Sequence, residues 1–369
     1  MRVGLDVSAV SPRPAGAGRY IVELAKRING PDVDATLIAT KGDATRWREW
    51  SPSSNVLDPV PSPRPLRLLY EATVLGRGTA FGVDVWHGPH YTMPRGTTKP
   101  VVVTICDMTF FTNPEWHERS KVIFFRRAMQ YSAQHATELI SISETTTQAL
   151  RDVLRPSIPI TTIPLGVDHD RFSPVAANLP LGQFDLPSDR PFIFFLGTFE
   201  PRKGLDVLLD AFRIVGARDG EIELWLAGQA GWHTAGTDDV IAAHPFASRI
   251  RRLGYVDDAA VPVLMRQARA VAYPSRGEGF GLPVLEALAC GAEVVTTAGT
   301  VMEEVADSAA TFTSAGDSGQ LADALLDAVN RTAGDREARA QVAITRAAQF
   351  TWTATADAHR DVYRRLAKG

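Results

Sequence analysis

Short apolar runs alternate with amphipathic stretches along most of the chain. The opening MRVGLDVSAV has the pattern of a buried strand over Val3–Val7, and a helix is expected from about Arg19 to Ile28 after a loop rich in Pro and Gly. DATLIAT, VDVWHG, KPVVVTICD and TELISIS read as further short strands with helical patterns between them. PSPRPLR, with three prolines and two arginines, reads as loop. The stretch PLGVDHDRFSPVAANLPLGQFDLPSDRP then breaks the rhythm and marks a linker. After it the alternation restarts, with strand patterns in FIFFLG, EIELWLAG, IRRLGYV, AVAYPS and EVVTT. The helical patterns LDVLLDAFRIV, DDAAVPVLMRQA and LPVLEALAC lie between them. The last forty or so residues are helical in pattern. Apolar strands alternating with helices imply parallel sheets covered on both faces. The expected fold class is α/β, as two Rossmann-like doubly wound domains in tandem. Their bounds are 1–170 and 191–350, with a linker over 171–190 and a helix over 351–369 that crosses back to the first domain. A ligand cleft is expected between the domains, facing the carboxyl ends of the strands.

Composition narrows the function classes. A chain of 369 residues exceeds one ordinary core, which agrees with two domains. Apolar content of 45% and charged content of 22% are those of a soluble globular protein. No run of eighteen apolar residues is present to suggest a membrane span, and with a first strand at Arg2 no signal peptide is expected. Cys106 and Cys290 are the only cysteines, which argues against a disulfide framework and suits a reducing cytoplasm. The net charge of -3 does not suggest nucleic acid. Residues 1–168 hold 19 Lys+Arg against 16 Asp+Glu, so the amino-terminal half is the side better suited to an anionic surface.

The chemistry concentrates in a few segments. SRGEGFGLPVLEALACG (275–291) has the form of a strand end, a glycine loop and a helix. Pro283 suits the first helical turn and Gly291 a helix stop. Gly279 and Gly281 let the backbone approach a ligand, and a helix start before Leu282 attracts phosphate. Glu278 and Glu286 flank this start. Beside a diphosphate they make sense as acceptors for sugar and ribose hydroxyls, against the plainer reading of a surface helix with a Glu near its favoured end. In GTFEPRKGLDVLLDAF (197–212), Gly197 ends a strand, and Arg202 and Lys203 precede a helix. Two cations there suit diphosphate oxygens and a leaving charge, against a solvated basic turn. PAGAGRY (14–20) brings Gly16 and Gly18 into a loop, but Ile21 stands where a dinucleotide fingerprint needs its third glycine.

Asp32/Asp34 and Asp168/Asp170 have Asp-x-Asp spacing in polar turns, and no metal is expected there. His135, His169, His233, His244 and His359 have no ligand spacing. RSKVIFFRRAM (119–129) mixes four basic residues with two phenylalanines. It suits an anionic membrane surface, although Val122, Phe125 and Met129 share a face that is more often core.

GAGRY, DVWHGPHYTMP, VVVTICDMTFFTNPEW, ISISETT, IPLGVDHDRF, GTFEPRKG, GYVDD and EGFGLPVLEALACG occur in that order over nearly the whole chain. On these pieces the sequence resembles the family-four retaining glycosyltransferases of GT-B architecture, in their mannosyltransferase-like group. The resemblance implies that Glu278 and the loop Gly279, Phe280 and Gly281 contact the donor sugar. It gives the ribose to Glu286 and the diphosphate to Arg202 and Lys203. Gly197 and the helix start at Leu282 fall on the nucleotide side, and Tyr255, Val256 and Asp257 lie against the base. Gly16 sits beside the phosphates from the other domain.

The family usually has His-Asp where this chain reads Cys106-Asp107, and that His reaches the donor sugar. A thiol is a poorer hydrogen-bond partner. The change either tunes the donor, lowers activity, or marks an altered position. Asp107 remains an acceptor-side or structural residue, and Cys106 has no activating base beside it in the sequence.

The implied activity is a retaining, metal-independent hexosyl transfer from a nucleotide diphosphate sugar, with no cofactor. The acceptor is a glycan or a lipid-linked hydroxyl, as in cell-envelope polysaccharide synthesis. Mannose is the best-fitting hexose, and Asp257, able to accept from guanine N–H groups, slightly favours a GDP-sugar over a UDP-sugar. Cytoplasmic placement at the inner membrane face and a peripheral membrane contact through the first domain go with it. The alternative is a nucleotide-sugar binding protein with weak or no transfer.

Overall fold

The computed structural model describes residues 1–77, 81–175, 181–184, 186, 190–229 and 236–368. Positions 176–180, 185 and 187–189 of the expected linker lie outside the described residues, as does His233. Two compact units are present, Met1–Gly166 with Thr351–Gly369, and Val167–Phe350.

The first unit holds seven parallel strands: β1 (Arg2–Asp6), β2 (Asp34–Thr40), β3 (Asn55–Val60), β4 (Val85–Gly88), β5 (Val101–Ile105), β6 (Glu138–Ser141) and β7 (Ile160–Thr162). Their order is β3-β2-β1-β4-β5-β6-β7, with Leu5 opposite both Leu37 and His87. Strands buried on both faces need apolar side chains at successive positions, and Val101–Ile105 are buried throughout. Edge strands β3 and β7 escape a hydrophobic reading. β3 carries Asp58 and Pro59, tolerable only at an edge, and β7 is half-buried along its length. The expected loop at PSPRPLR is corrected: a helix, Arg64–Tyr70, starts inside it. Pro65 falls in its first turn, where no N–H is needed.

The helix Trp352–Ala367 joins this unit through a buried polar chain. His359 Nδ1 lies 2.7 Å from the Thr355 carbonyl, which can only accept. His359 Nε2 must then accept from the Tyr20 hydroxyl at 2.8 Å. Tyr20 in turn accepts from Thr104 Oγ1 at 2.9 Å, and Thr104 accepts from His87 Nε2 at 2.8 Å. Tyr363 completes the chain by donating to His87 Nδ1 at 2.7 Å. Every hydrogen is accounted for only if both imidazoles are neutral. Burial pushes both down, His359 to about 4 and His87 well below its usual range. Gly166 also serves this junction. A Cβ there would lie 2.1 Å from the Trp352 nitrogen.

The second unit holds β8 (Phe192–Leu196), β9 (Glu223–Ala227), β10 (Ile250–Gly254), β11 (Ala270–Tyr273), β12 (Val294–Thr297) and β13 (Thr311–Thr313), all parallel. Their order is β10-β9-β8-β11-β12-β13. Helix Leu205–Arg218 buries Leu208, Phe212 and Val215 in one core cluster with Leu321 and Leu325 of helix Ser318–Asn330. Trp225 stacks on Phe192 with ring centroids 3.9 Å apart.

The division falls at Gly166/Val167 rather than at residue 170. The Val167 N–H bonds to the Phe350 carbonyl at 3.2 Å, and Phe172 is buried, so this segment is already part of the second unit. Within each sheet the strand order reverses beside the first strand, between β1 and β4 and between β8 and β11. In doubly wound sheets that reversal opens a crevice at the carboxyl edge where ligands bind.

Candidate functional site

In the second unit, β8 and β11 are neighbours, with Ile193 opposite Ala270 and Phe194 opposite Val271. The GTFEPRKG segment leaves β8 and the SRGEGFGL segment leaves β11, so both emerge at the reversal. The two loops are knitted together. The Arg276 N–H donates to the Arg202 carbonyl at 2.7 Å, the Ser275 hydroxyl lies 3.0 Å from the same carbonyl, and Arg202 Nη1 donates to the Gly277 carbonyl at 3.2 Å. Gly204 has φ of 69°, and a Cβ on it would stand 2.1 Å from the Pro274 carbonyl oxygen. Glycine alone permits that turn and that approach.

The loops carry a buried ionic cluster. Glu278 Oε2 accepts from Arg202 Nη1 at 2.6 Å. Glu278 Oε1 accepts from Lys203 Nζ at 2.5 Å, Ser275 Oγ at 2.8 Å and Tyr273 OH at 3.0 Å. Lys203 Nζ also donates to the Tyr273 oxygen at 2.7 Å, and Arg202 Nε donates to Glu200 at 2.9 Å. The Lys203 and Glu278 side chains are each only 10% exposed. Burial alone would push the Glu278 carboxyl up, but the charges of Lys203 and Arg202 overcome it and hold the group at about 2. Burial lowers the Lys203 ammonium, and the Glu278 charge opposes that fall.

This geometry bears on two expectations. Glu278 Oε1 is taken up by Lys203, Ser275 and Tyr273, which leaves Oε2, bonded to Arg202, as the oxygen with room for a further donor. Arg202 and Lys203 are adjacent cations at the strand ends as expected, and Glu278 and Glu200 offset their charge. Two buried cations without counter-ions would be strongly destabilising. Among the described residues Arg202 Nη2 has no acceptor, and one of the three Lys203 N–H groups is not engaged by Tyr273 or Glu278. These are the donors the pair can offer a bound anion.

Beside the cluster, helix Leu282–Ala289 begins at Gly281, whose φ is 91°, with no side chain capping its first turn and Pro283 inside it. Gly279 lies in the loop, while Phe280 and Leu282 are buried and offer backbone groups. Glu286 is half-buried one turn into the helix, near enough for its charge to be felt by Tyr273. Gly197 continues β8, its N–H bonded to the Ala227 carbonyl at 3.0 Å. After β10, Tyr255 is exposed and Val256 buried, and Asp257 Oδ1 accepts the Ala259 N–H at 2.7 Å. One oxygen of Asp257 is thus engaged in starting the next helix.

The remaining expected residues lie in the first unit. Gly16, with φ of 50°, opens helix Ala17–Arg27 with nothing within 4 Å of where a Cβ would stand. Cys106 is buried with Sγ 3.9 Å from the Pro89 carbonyl, and burial, helped by Asp107, pushes its thiol up. That is the opposite of an activated nucleophile. Asp107 accepts from the Thr109 N–H at 3.0 Å, the Thr109 hydroxyl at 2.7 Å and Tyr91 OH at 3.0 Å. His117 Nε2 then donates to Thr109 Oγ1 at 2.8 Å. Tyr91 holds φ of 66°, a strained setting for a non-glycine residue.

Sequence reading missed Tyr91, His117, Glu200, Tyr273 and Ser275. Tyr91 and Glu200 stood inside recognised motifs, where their chemistry was the available signal. Val122 and Met129 are buried, so that face of helix Arg119–His135 is core, while Ile123 is exposed. Asp32 pairs with Arg364 at 2.6 Å, and Asp168 accepts the N–H groups of Asp170 and Arg171. Among the described residues no group of three His, Cys, Asp or Glu side chains could hold a metal, and no helix is long and apolar enough to cross a membrane.

Comparison with known proteins matches each unit. Residues 14–171 fit the model of Glycosyltransferase Family 4, and residues 182–346 fit that of glycosyl transferases group 1. The chain is 29% identical over 271 residues to O-antigen chain mannosyltransferase B of Escherichia coli, covering 73% of this chain and 71% of that protein. It is 35% identical over 219 residues to D-inositol 3-phosphate glycosyltransferase 2 of Catenulispora acidiphila, covering 56% of this chain and only half of that protein. Among solved structures, Anabaena HepE in complex with UDP-glucose superposes with a TM-score of 0.76 at 19% identity, covering 99% of this chain and all of that one.

Proposed function

The chain belongs to the family-four glycosyltransferases of GT-B fold, and from that premise we propose that it moves a hexose from a nucleoside diphosphate sugar to an acceptor hydroxyl with retention. The observation that carries this reading is the joining of Arg202 and Lys203 to Glu278 at the β8/β11 reversal, beside an uncapped helix start. The pair holds the diphosphate through its remaining N–H groups, and the start of helix Leu282–Ala289 adds its backbone dipole. Glu286 accepts from the ribose hydroxyls, and Tyr255, Val256 and Asp257 border the base. The loop Gly279–Phe280–Gly281 faces the sugar.

As the glycosidic bond breaks, these donors stabilise the charge gathering on the diphosphate. The acceptor attacks on the face the diphosphate leaves, and the departing phosphate takes its proton. No protein nucleophile or metal is then required. The buried, raised Cys106 thiol agrees with this role assignment.

Mannose from GDP-mannose is our donor assignment, supported by Asp257 and by the mannosyltransferase named among the relatives. The acceptor is a glycan or lipid-linked hydroxyl of cell-envelope polysaccharide, served by the first unit and reached from the cytoplasm. A peripheral membrane contact fits the first unit. Its helix Arg64–Tyr70 buries nothing, and Leu66, Leu69 and Ile123 are 51%, 58% and 55% exposed. Arg64 lies over the Phe124 ring, which links the start of this helix to the helix that bears Ile123. A mass-spectrometric screen of sugar nucleotides, with and without EDTA, tests the reading. Release of GDP from GDP-mannose, undiminished by EDTA, is expected. Turnover of a UDP-sugar alone overturns the donor assignment, and binding without any turnover overturns transfer.

A further inference from the structure

The loop bearing Glu278 gives that side chain little to hold it. Gly277 and Gly279 flank it, and its burial comes from the groups around its carboxylate. A glutamate free to move there would compete with phosphate oxygens for every N–H that Arg202 and Lys203 present. Two residues outside the charge pairing prevent this.

Tyr273 ends β11 and is fully buried. Its backbone is fixed by pairing with Thr296, whose hydroxyl also donates to the Tyr273 carbonyl at 2.8 Å. Its phenol accepts from Lys203 at 2.7 Å and donates to Glu278 at 3.0 Å, so one rigid hydroxyl sets the distance between ammonium and carboxylate. Ser275 is also fully buried. Its hydroxyl lies 2.8 Å from the same Glu278 oxygen and 3.0 Å from the Arg202 carbonyl, which references the carboxylate to the neighbouring loop.

We propose that Tyr273 and Ser275 are positioning residues for donor binding. They fix Glu278 so that it takes one N–H from each of Arg202 and Lys203 and leaves the others to the diphosphate. Neither needs to touch the donor. The inference rests on the donor reading above and adds to it a reason why a carboxylate can sit among phosphate-binding cations without excluding phosphate.

The test is calorimetric titration of the full chain and of Tyr273→Phe, Ser275→Ala and Glu278→Gln with GDP and UDP, together with guanosine and uridine binding followed by NMR line broadening. For whichever diphosphate binds the wild type, Tyr273→Phe and Ser275→Ala are expected to lose roughly ten-fold or more in affinity, as for a hydrogen bond to a charged group. Nucleoside affinity is expected to stay within about two-fold, since base and ribose contacts lie elsewhere. In the Glu278→Gln background, Tyr273→Phe is expected to add little, because the carboxylate through which it acts is gone. Parallel loss of nucleoside and diphosphate affinity overturns the inference, as does an unchanged diphosphate affinity. If Tyr273→Phe fails to fold, Ser275→Ala carries the same comparison. Failure of the wild type to bind either diphosphate overturns the donor reading itself.

Discussion

Replacing Glu278 by Gln probes the cluster at its centre. The amide keeps the shape of the side chain but removes the charge and turns one oxygen into a donor that must face Arg202 or Lys203. Those two cations would then share Glu200 alone. Breaking a buried ion pair by removing one partner costs about 3–5 kcal/mol. The titration of the carboxyl leads to a similar size. Held at about 2 against an ordinary 4.5, it contributes about 3 kcal/mol. Because the folded value is the lower one, the unfolded chain binds more protons between these pH values. The contribution is complete above pH 4.5 and is lost as pH falls towards 2. For a unit of this size the predicted loss corresponds to roughly 6–20 °C in melting temperature. Thermal melts of wild type and variant at pH 7, by circular dichroism with and without saturating nucleoside diphosphate, measure it. The bound diphosphate should restore more stability to the variant than it adds to the wild type, because it supplies the missing negative charge. A variant melting within about 2 °C of wild type without ligand would mean that Glu278 does not offset two buried cations.

Other expectations follow from different parts of the molecule. His87 and His359 are held neutral by burial, so below pH 6.5 the unfolded chain takes up protons that the folded chain refuses. Stability should therefore fall as pH drops below 6.5, for His359 by about 1.4 kcal/mol per pH unit down to about 4 with His87 adding to the fall, and His359→Phe should flatten that slope in urea titrations. Gly204→Ala should cost about 1–3 kcal/mol or more, because its Cβ meets the Pro274 carbonyl at a positive φ. Gly220→Ala, where nothing lies within 4 Å, serves as the control in the same melts. Replacing Leu66, Leu69 and Ile123 by Ser should reduce sedimentation with vesicles containing anionic lipid.

The central strands were legible because a parallel sheet covered on both faces demands runs such as VVVTI and FIFFL. Edge strands such as β3 and β7 make no such demand, and their polar or half-buried residues hide them. The first turn of a helix tolerates proline, which is why PSPRPLR looked like a loop. At the site, Arg202, Lys203, Glu278 and Glu286 were visible from residue type and position at strand ends. The mutual neutralisation of Arg202, Lys203 and Glu278 was not visible. It depends on β8 and β11 lying side by side, which brings residues 200–203 against 273–278, and sequence separation conceals that adjacency. Tyr273 was hidden for a related reason. At the end of a strand, an aromatic side chain reads as core until its hydroxyl is seen to find two charged partners.

The most direct test is a calorimetric titration of wild type and Lys203→Ala with GDP and UDP in EDTA-containing buffer. One diphosphate is expected to bind the wild type without metal, and Lys203→Ala to weaken that binding by roughly ten-fold or more. A diphosphate that binds both proteins equally well, or binds only when a divalent cation is added, would contradict the assignment of this cluster as the site that holds the leaving diphosphate.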